Sequence, residues 1–450
     1  MIQIRRSFVR GLVCLIVLSF PLLAQTPLSL KDAIAMALEK HPSVEVAKAS
    51  EQEAQMRIQQ ARSGHLPKLN YQESWARSNN PVFVFSSLLT QHQFTMANFD
   101  IAALNRPDFI NNFQSLVTVD QAIFDAGQTK HSQQSAKVAG KMVSEERRRT
   151  DMDVILNVVR VYSGVLLAKE GVLVAEESVK SAQADLERAQ AVRSAGMSTD
   201  ADVLSIKVHL AAVAEQRIRA VNDYAAAKAA LNEALGVPLD SQFDTSTPLA
   251  ASPVPATVVE EFEKQGVDLR PEARQATLAG DLVQEQKSLA KAAFYPQVFF
   301  RGAFEADRQQ FINKGGANWL AGLTMRWNLY NGSADKYRVE EAVAAERRAR
   351  AQKQRAESGI RLQVRKAYLD LNSARERMDV TRAAVAMAEE GHRIIQNRYQ
   401  SGLTTVTELL RSETALLAAR VRNLAAIHDQ RIATAVLLQA AGTLSKDSEL

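Results

Sequence analysis

The chain is written twice. Ile123-Phe124-Asp125 returns as Leu329-Tyr330-Asn331, Val158 as Val364, Tyr162 as Tyr368 and Gly196 as Gly402, all at 329 − 123 = 206. That spacing holds without a gap to Gly236/Gly442. Upstream, Pro42/Pro271 and Pro67/Pro296 repeat at 271 − 42 = 229, so the first copy carries 229 − 206 = 23 extra residues between Pro67 and Phe124. A unit this long is a structural half rather than a solenoid repeat, and it predicts pseudo-twofold architecture in one elongated body.

Residues 1–24 have a short basic start and an apolar run from Gly11 to Leu23, which predicts a cleaved secretory signal peptide. An uncleaved inner-membrane anchor is the competing reading, although the run is short for a spanning helix. The single cysteine, Cys14, lies inside it, so a processed chain has no disulfide, thiolate metal site or cysteine nucleophile, and no lipid anchor is expected. Losing Arg5, Arg6 and Arg10 takes the formal charge from +5 to 52 − 50 = +2, which gives no reason to expect a nucleic-acid partner. Past residue 25 no stretch approaches the ~20 apolar residues of a membrane helix, so any crossing must be made by strands.

Most of the chain has helical periodicity. From Gln128 to Arg193, Val158, Val165, Val172, Val179 and Leu186 recur every seven residues, with Val161, Ala168, Ala175, Ala182 and Ala189 three further on. The second copy repeats this seam from Val364 through Leu371 and Met378. Helices on the order of 100 Å long need coiled-coil partners along their length. These follow turns at residues 193–199 and 399–405, as antiparallel return helices over Val203–Ala234 and Leu410–Ala441. Strand-like alternation interrupts the helices at about residues 66–77, 114–124, 296–306 and 318–330. From Trp319 to Leu329 one face reads Trp, Ala, Leu, Met, Trp, Leu and the other Leu, Gly, Thr, Arg, Asn, which fits lipid on one side and a polar lumen on the other. Each strand pair is split by a polar, Asn-rich loop, and the extra 23 residues fall within Ser78–Asn112.

The expected organisation is thus a first repeat over 25–236, a Pro/Ser/Thr-rich crossing linker over 237–270, a second repeat over 271–444 and a tail over 445–450. Four strands cannot close a barrel in lipid, where the smallest have about eight, so subunits must pool them. The expected fold class is mainly α with a membrane β-barrel, in which duplicated coiled-coil hairpins continue a shared barrel as a helical cylinder.

The tips from Arg193 to Leu204 and from Tyr399 to Leu410 resemble those of TolC-like outer-membrane efflux proteins. So do Ile123-Phe124-Asp125-Ala126-Gly127, Leu329-Tyr330-Asn331-Gly332 and Ala440-Ala441-Gly442-Thr443-Leu444, and the resemblance runs over about residues 27–444. It implies a homotrimer with 3 × 4 = 12 barrel strands in outer-membrane lipid and an α-helical tunnel across the periplasm. It also implies a tip opened by a periplasmic adaptor protein and an inner-membrane pump of the RND or ABC kind, in tripartite efflux or type I secretion. No covalent chemistry, cofactor or metal is implied.

Carried over by position, the resemblance makes Glu408 a constriction residue. Arg411 stands where a second acid is expected, three residues on and within pairing reach of Glu408. Tyr399 matches a latch tyrosine and Asp202 its acidic partner, while Thr404 stands where a base is expected. Gly196, Met197, Gly402 and Leu403 are candidates for adaptor contact. The alternative for the charges is a solvated helix surface, and for the glycines plain turn chemistry. For the whole chain, the competing class is a soluble periplasmic coiled-coil scaffold or adaptor, which explains the heptads and the signal but not the amphipathic strands.

Overall fold

The computed structural model describes residues 26–253 except 197, 257–313 and 315–450. The expected signal peptide, Cys14 and Met197 lie outside these residues. The chain runs β1 (Thr26–Leu28), α1 (Leu30–Lys40), α2 (Pro42–Arg62), β2 (Lys68–Ser78), α3 (Pro81–Thr90), α4 (Ile101–Asn105), β3 (Ile110–Phe124), α5 (Gln128–Ser194) and α6 (Asp200–Leu235). It continues as β4 (Phe243–Thr245), α7 (Val259–Leu269), α8 (Pro271–Ala292), β5 (Gln297–Arg308), β6 (Gly316–Arg326), α9 (Ala334–Gln400) and α10 (Val406–Ala440).

Helices α5 and α9 each have 67 residues, on the order of 100 Å at 1.5 Å per residue. Each is flanked by two shorter helices laid end to end. Along α5, α2 packs on the half nearer the sheet and α6 on the half nearer the tip, and α8 and α10 do the same along α9. The seam positions Val158, Val165, Leu186, Ala175, Ala182 and Ala189 are buried, as are Val364, Leu371 and Met378. Val172 and Val179 are half-buried.

The two end-to-end junctions are built alike. Gly236 ends α6 at φ 69°, and a Cβ there would stand 2.7 Å from the Lys40 carbonyl oxygen at the α1–α2 corner. Its repeat partner Gly442 lies just past the end of α10 at φ 75°, where a Cβ would stand 2.8 Å from the Arg270 nitrogen at the α7–α8 corner. Only glycine meets both demands, a left-handed backbone and an abutting main chain.

The region expected to be a crossing linker is more structured than its composition implied. Its first part pairs β4 in parallel with β1 over a core that includes Leu28, Tyr162 and Leu235. The Tyr162 hydroxyl donates to the Leu28 carbonyl at 2.7 Å and accepts from the Thr247 amide at 3.3 Å. Its last part is α7, which repeats α1 at 259 − 30 = 229 and 269 − 40 = 229. The second structural unit therefore begins near Val259 rather than at 271. The Pro/Ser/Thr signal stops at Pro255, and Phe262 beyond it is buried with its ring 6.3 Å from Tyr368.

The four long strands form one antiparallel sheet in the order β2-β3-β5-β6. Registered rows such as Tyr71, Val117, Phe304 and Trp319 put one apolar face outward, where Tyr71, Trp319, Leu323 and Met325 are 66–80% exposed. The other face carries Lys68, Asp120 and Arg301, then Gln72, Leu116, Glu305 and Asn318. Strand β3 starts four residues before the expected 114. Strand β6 stops four before the expected 330, because Asn328 and Asn331 turn away to bond Asp335 at 3.1 and 2.7 Å in the first turn of α9. Within the expected Asn-rich loop the chain forms α3 and α4. No helix among the described residues is long and apolar enough to cross a membrane.

The junction geometry gives a first prediction. Gly196, at φ 78° with open space around its Cβ position, should cost about 1 kcal/mol when changed to Ala. Gly236→Ala and Gly442→Ala should each cost about 3 kcal/mol, since strain and backbone overlap add. Guanidinium unfolding of the three variants checks the ranking, and equal losses would show that the junctions are not tight.

Candidate functional site at the hairpin tips

Both tips are built by one device. A left-handed glycine ends the outgoing helix, with the Gly196 amide on the Arg193 carbonyl at 2.8 Å and the Gly402 amide on the Tyr399 carbonyl at 3.0 Å. A threonine then caps the return helix: Thr199 Oγ1 accepts from the Asp202 amide at 3.2 Å, and Thr405 Oγ1 from the Glu408 amide at 3.4 Å.

Asp202 is occupied by this cap. Its Oδ2 accepts from the Thr199 amide, the Thr199 hydroxyl and the Ser198 hydroxyl at 3.1, 2.9 and 3.0 Å. These bonds hold its carboxyl below the usual aspartate range. Tyr399 packs against the tip core of Leu186, Ala189, Val203, Ile206 and Val406, which joins both hairpins. Burial first, then the nearby Asp202 and Asp185 carboxylates, raises its phenol pKa. Among the described residues no hydrogen bond joins Tyr399 to Asp202. Arg411 Nη1 donates to Glu408 Oε1 at 2.8 Å, and both side chains are exposed. Such a solvated pair adds little stability, but it cancels the charge of Glu408 locally. Leu403 is 68% exposed at the turn beside Gly402.

The strongest electrostatic feature near the tips lies one step deeper, at residues that sequence reasoning did not single out. Asp185 of α5 and Glu413 of α10 bring their carboxyl groups within hydrogen-bond reach of each other between the two hairpins. Arg188 Nη1 donates to Asp185 Oδ1 at 2.9 Å, the Ser181 hydroxyl donates to Glu413 Oε1 at 3.1 Å, and His209 Nε2 of α6 lies 3.0 Å from Glu413 Oε2. Asp185 is 1% exposed, and its Oδ2 has no donor in the protein. Burial, then the hydrogen bond and the charge of Glu413, push Asp185 up to about 7. Glu413 is held lower, because His209 and Asp185 outweigh its own burial.

Arg420 of α10 adds a second tie between the hairpins, donating to Glu177 of α5 at 2.8 Å and to Glu389 of α9 at 3.0 Å. Between these ties lies a cleft of about 290 Å³ lined by Ser181, His209, His392 and Glu413 and also by Val213 and Leu416. The sequence held one signal for Asp185: it sits on the buried seam, three residues after Ala182 and four before Ala189. The repeat hid the rest, since the partners of Asp185 and Glu413 are Gly391 and Lys207.

The sign of the pH effect follows from the raised Asp185 value. An acid that binds its proton more tightly when folded stabilises the contact fully at low pH and loses that contribution as pH rises through about 7. Above that, two buried carboxylates oppose each other across the hairpins. Amide exchange in 181–188 and 409–416, corrected for intrinsic rates, should therefore accelerate from about pH 4 to about pH 7 and level off above it. Asp185→Asn, which keeps a donor toward Glu413, should flatten the dependence, and a flat profile in the unaltered chain would overturn the assignment.

The sequence pattern of the outer membrane efflux protein family matches residues 33–237 and 267–443. Protein CyaE of Bordetella pertussis is 25% identical over 351 residues, 76% of this chain and 73% of that protein. The proteases secretion protein PrtF of Dickeya chrysanthemi is 22% identical over 409 residues, 87% of this chain and 83% of PrtF. The open-state MtrE outer membrane channel of Neisseria gonorrhoeae superposes with a TM-score of 0.75 at 17% identity, covering 94% of this chain and 91% of MtrE. The duplicated hairpins, the two-faced sheet and these matches place the chain in one family: it is an outer membrane efflux protein, extending from the outer membrane into the periplasm.

Proposed function

We propose that three copies of this chain form a passive exit duct, with a barrel of 3 × 4 = 12 strands continued by a tunnel of coiled-coil hairpins. The observation that carries this is the sheet: one face is apolar through the rows of Tyr71, Phe304, Trp319 and Leu323, with one Glu73–Arg308 ion pair toward its end away from the long helices, the other face is mostly polar, and β2 and β6 are unpaired at its edges. Such a sheet is stable in lipid only when further strands close it. A soluble scaffold would leave that apolar face in water.

The tips form the inner gate. Glu408 sets the charge of the constriction and Arg411 tempers it, while Tyr399 and the Asp185–Glu413 contact hold the α9–α10 hairpin against the α5–α6 hairpin. Gly196, Gly402 and Leu403 form the surface offered to a periplasmic adaptor, which links the duct to an energy-supplying inner-membrane pump. The named role of PrtF in proteases secretion supports export of polypeptides through a type I arrangement, and the same duct serves tripartite efflux. The duct itself makes and breaks no covalent bonds.

Detergent-extracted protein should run as a trimer and conduct in planar bilayers. A water-soluble monomer would refute the assembly. In single channels Glu408→Gln should lower the cation-over-anion permeability ratio about twofold and Arg411→Ala should raise it by a similar factor. Unchanged selectivity in both would remove Glu408 from the gate.

A further inference from the structure

We propose that the segment spanning residues 79–109 is an outer lid, whose apolar helix α3 meets its copies in the neighbouring subunits across the mouth of the barrel. This rests on the trimeric duct proposed above.

The segment is long where its repeat partner is short. It joins β2 to β3 with 109 − 78 = 31 residues, while β5 joins β6 with 315 − 308 = 7. These connections lie at the end of the sheet opposite the long helices, which is the external end of an outer-membrane duct. The insertion folds back onto the polar face of the sheet. Gln91 Nε2 donates to Asn112 Oδ1 at 2.8 Å and to the Asn111 carbonyl at 3.0 Å, and Asn112 Nδ2 donates to Asp307 Oδ1 at 2.7 Å. Asn318 Nδ2 donates to the Thr90 carbonyl at 3.2 Å. Gln91 and Asp307 are buried, and a Cβ on Gly316 would overlap the Thr90 carbonyl oxygen at 1.9 Å. Asn112, Asp307, Gly316 and Asn318 all belong to the lumen-facing rows. The insertion is therefore fixed inside the mouth.

Helix α3 is two-faced. Val84, Ser87 and Gln91, at helical spacing, face the sheet and are buried. Val82 and Leu89, seven residues apart and so on one other side, are exposed at 77% and 46%, while Phe85 between them is 38% exposed and turns one ring edge inward to Phe94. The helix carries no charge. Phe85, Phe94 and Phe99 stack edge to face at 5.0 and 5.2 Å, so the insertion has a small core that holds its shape. Lipid does not reach this face, because the helix lies on the lumen side and the lipid-facing rows point the other way. A charge-free apolar face over a water-filled mouth is costly unless something apolar covers it. Threefold symmetry supplies that cover, since three identical faces converge on the same axis.

The test uses the full chain in the outer membrane, with Cys14→Ser in the background of every variant. Val82→Cys should cross-link copy to copy with a bismaleimide. Asn70→Cys, exposed on the polar face deeper in the barrel, should react in intact cells with a small charged methanethiosulfonate, and Trp319→Cys on the lipid side should not. A maleimide carrying a polymer of about 5 kDa should reach Asn70→Cys at least about tenfold faster after deletion of 81–105 than in the full chain. The double change Val82→Asp with Leu89→Asp keeps the Gln91 anchor and should give the same acceleration if the deletion perturbs assembly. Equal polymer labelling with and without the lid, or cross-links to another protein instead of a second copy, would overturn the lid alone. Failure of the small reagent at Asn70→Cys would overturn the duct reading and the lid with it.

Discussion

The backbone of the sheet edges governs this molecule. In lipid an unpaired N–H or C=O has no water to bond, so β2 and β6 cannot both remain edges where the outward rows of Tyr71, Phe304, Trp319 and Leu323 require lipid. Closure by copies fixes symmetry, and symmetry fixes what lies on the axis. The polar rows become a lumen, the hairpins become staves of one cylinder, and the tips meet at its far end. An isolated chain of this sequence has no other way to satisfy those edges in a bilayer.

The long helices face a related constraint along their length. A helix of 67 residues with a single apolar seam cannot be covered by one return helix of 36 or 35. Each half solves this by placing a second helix end to end with the first, and the abutment needs a residue without a side chain at Gly236 and Gly442. The core around Tyr162, Leu235 and Leu28 then locks the first junction, and Phe262, Leu371 and Leu437 lock the second. The stiffness of the tunnel thus depends on contacts near its middle, far from either end.

Much of this was legible in the residues because it was written twice. Val158/Val364 and Leu231/Leu437 are paired by the 206 spacing and are equally buried. The strands were legible because alternation with aromatics has few other uses. What escaped was local or asymmetric. Helix α7 was obscured by the Pro/Ser/Thr run before it, although the 229 spacing reached back to it. Helix α3 lies in an insertion with no second copy, and its near-uniform apolar run Pro81–Leu89 has no clear period. Asp185 and Glu413 are 228 residues apart and meet only when the hairpins dock.

The misses share a cause that bears on function. Duplication supplies a scaffold in which both halves do the same structural work, so the repeat predicts walls well. A gate needs the halves to differ, because identical hairpins packed identically have no reason to move relative to each other. Asp185 opposite Gly391 and Glu413 opposite Lys207 make the contact between hairpins one-sided, and the insertion after Ser78 makes only one of two hairpin loops reach over the mouth. Control of this duct is therefore to be sought where the second copy fails to echo the first, at the inner end as a buried pair of carboxyl groups and at the outer end as an apolar helix.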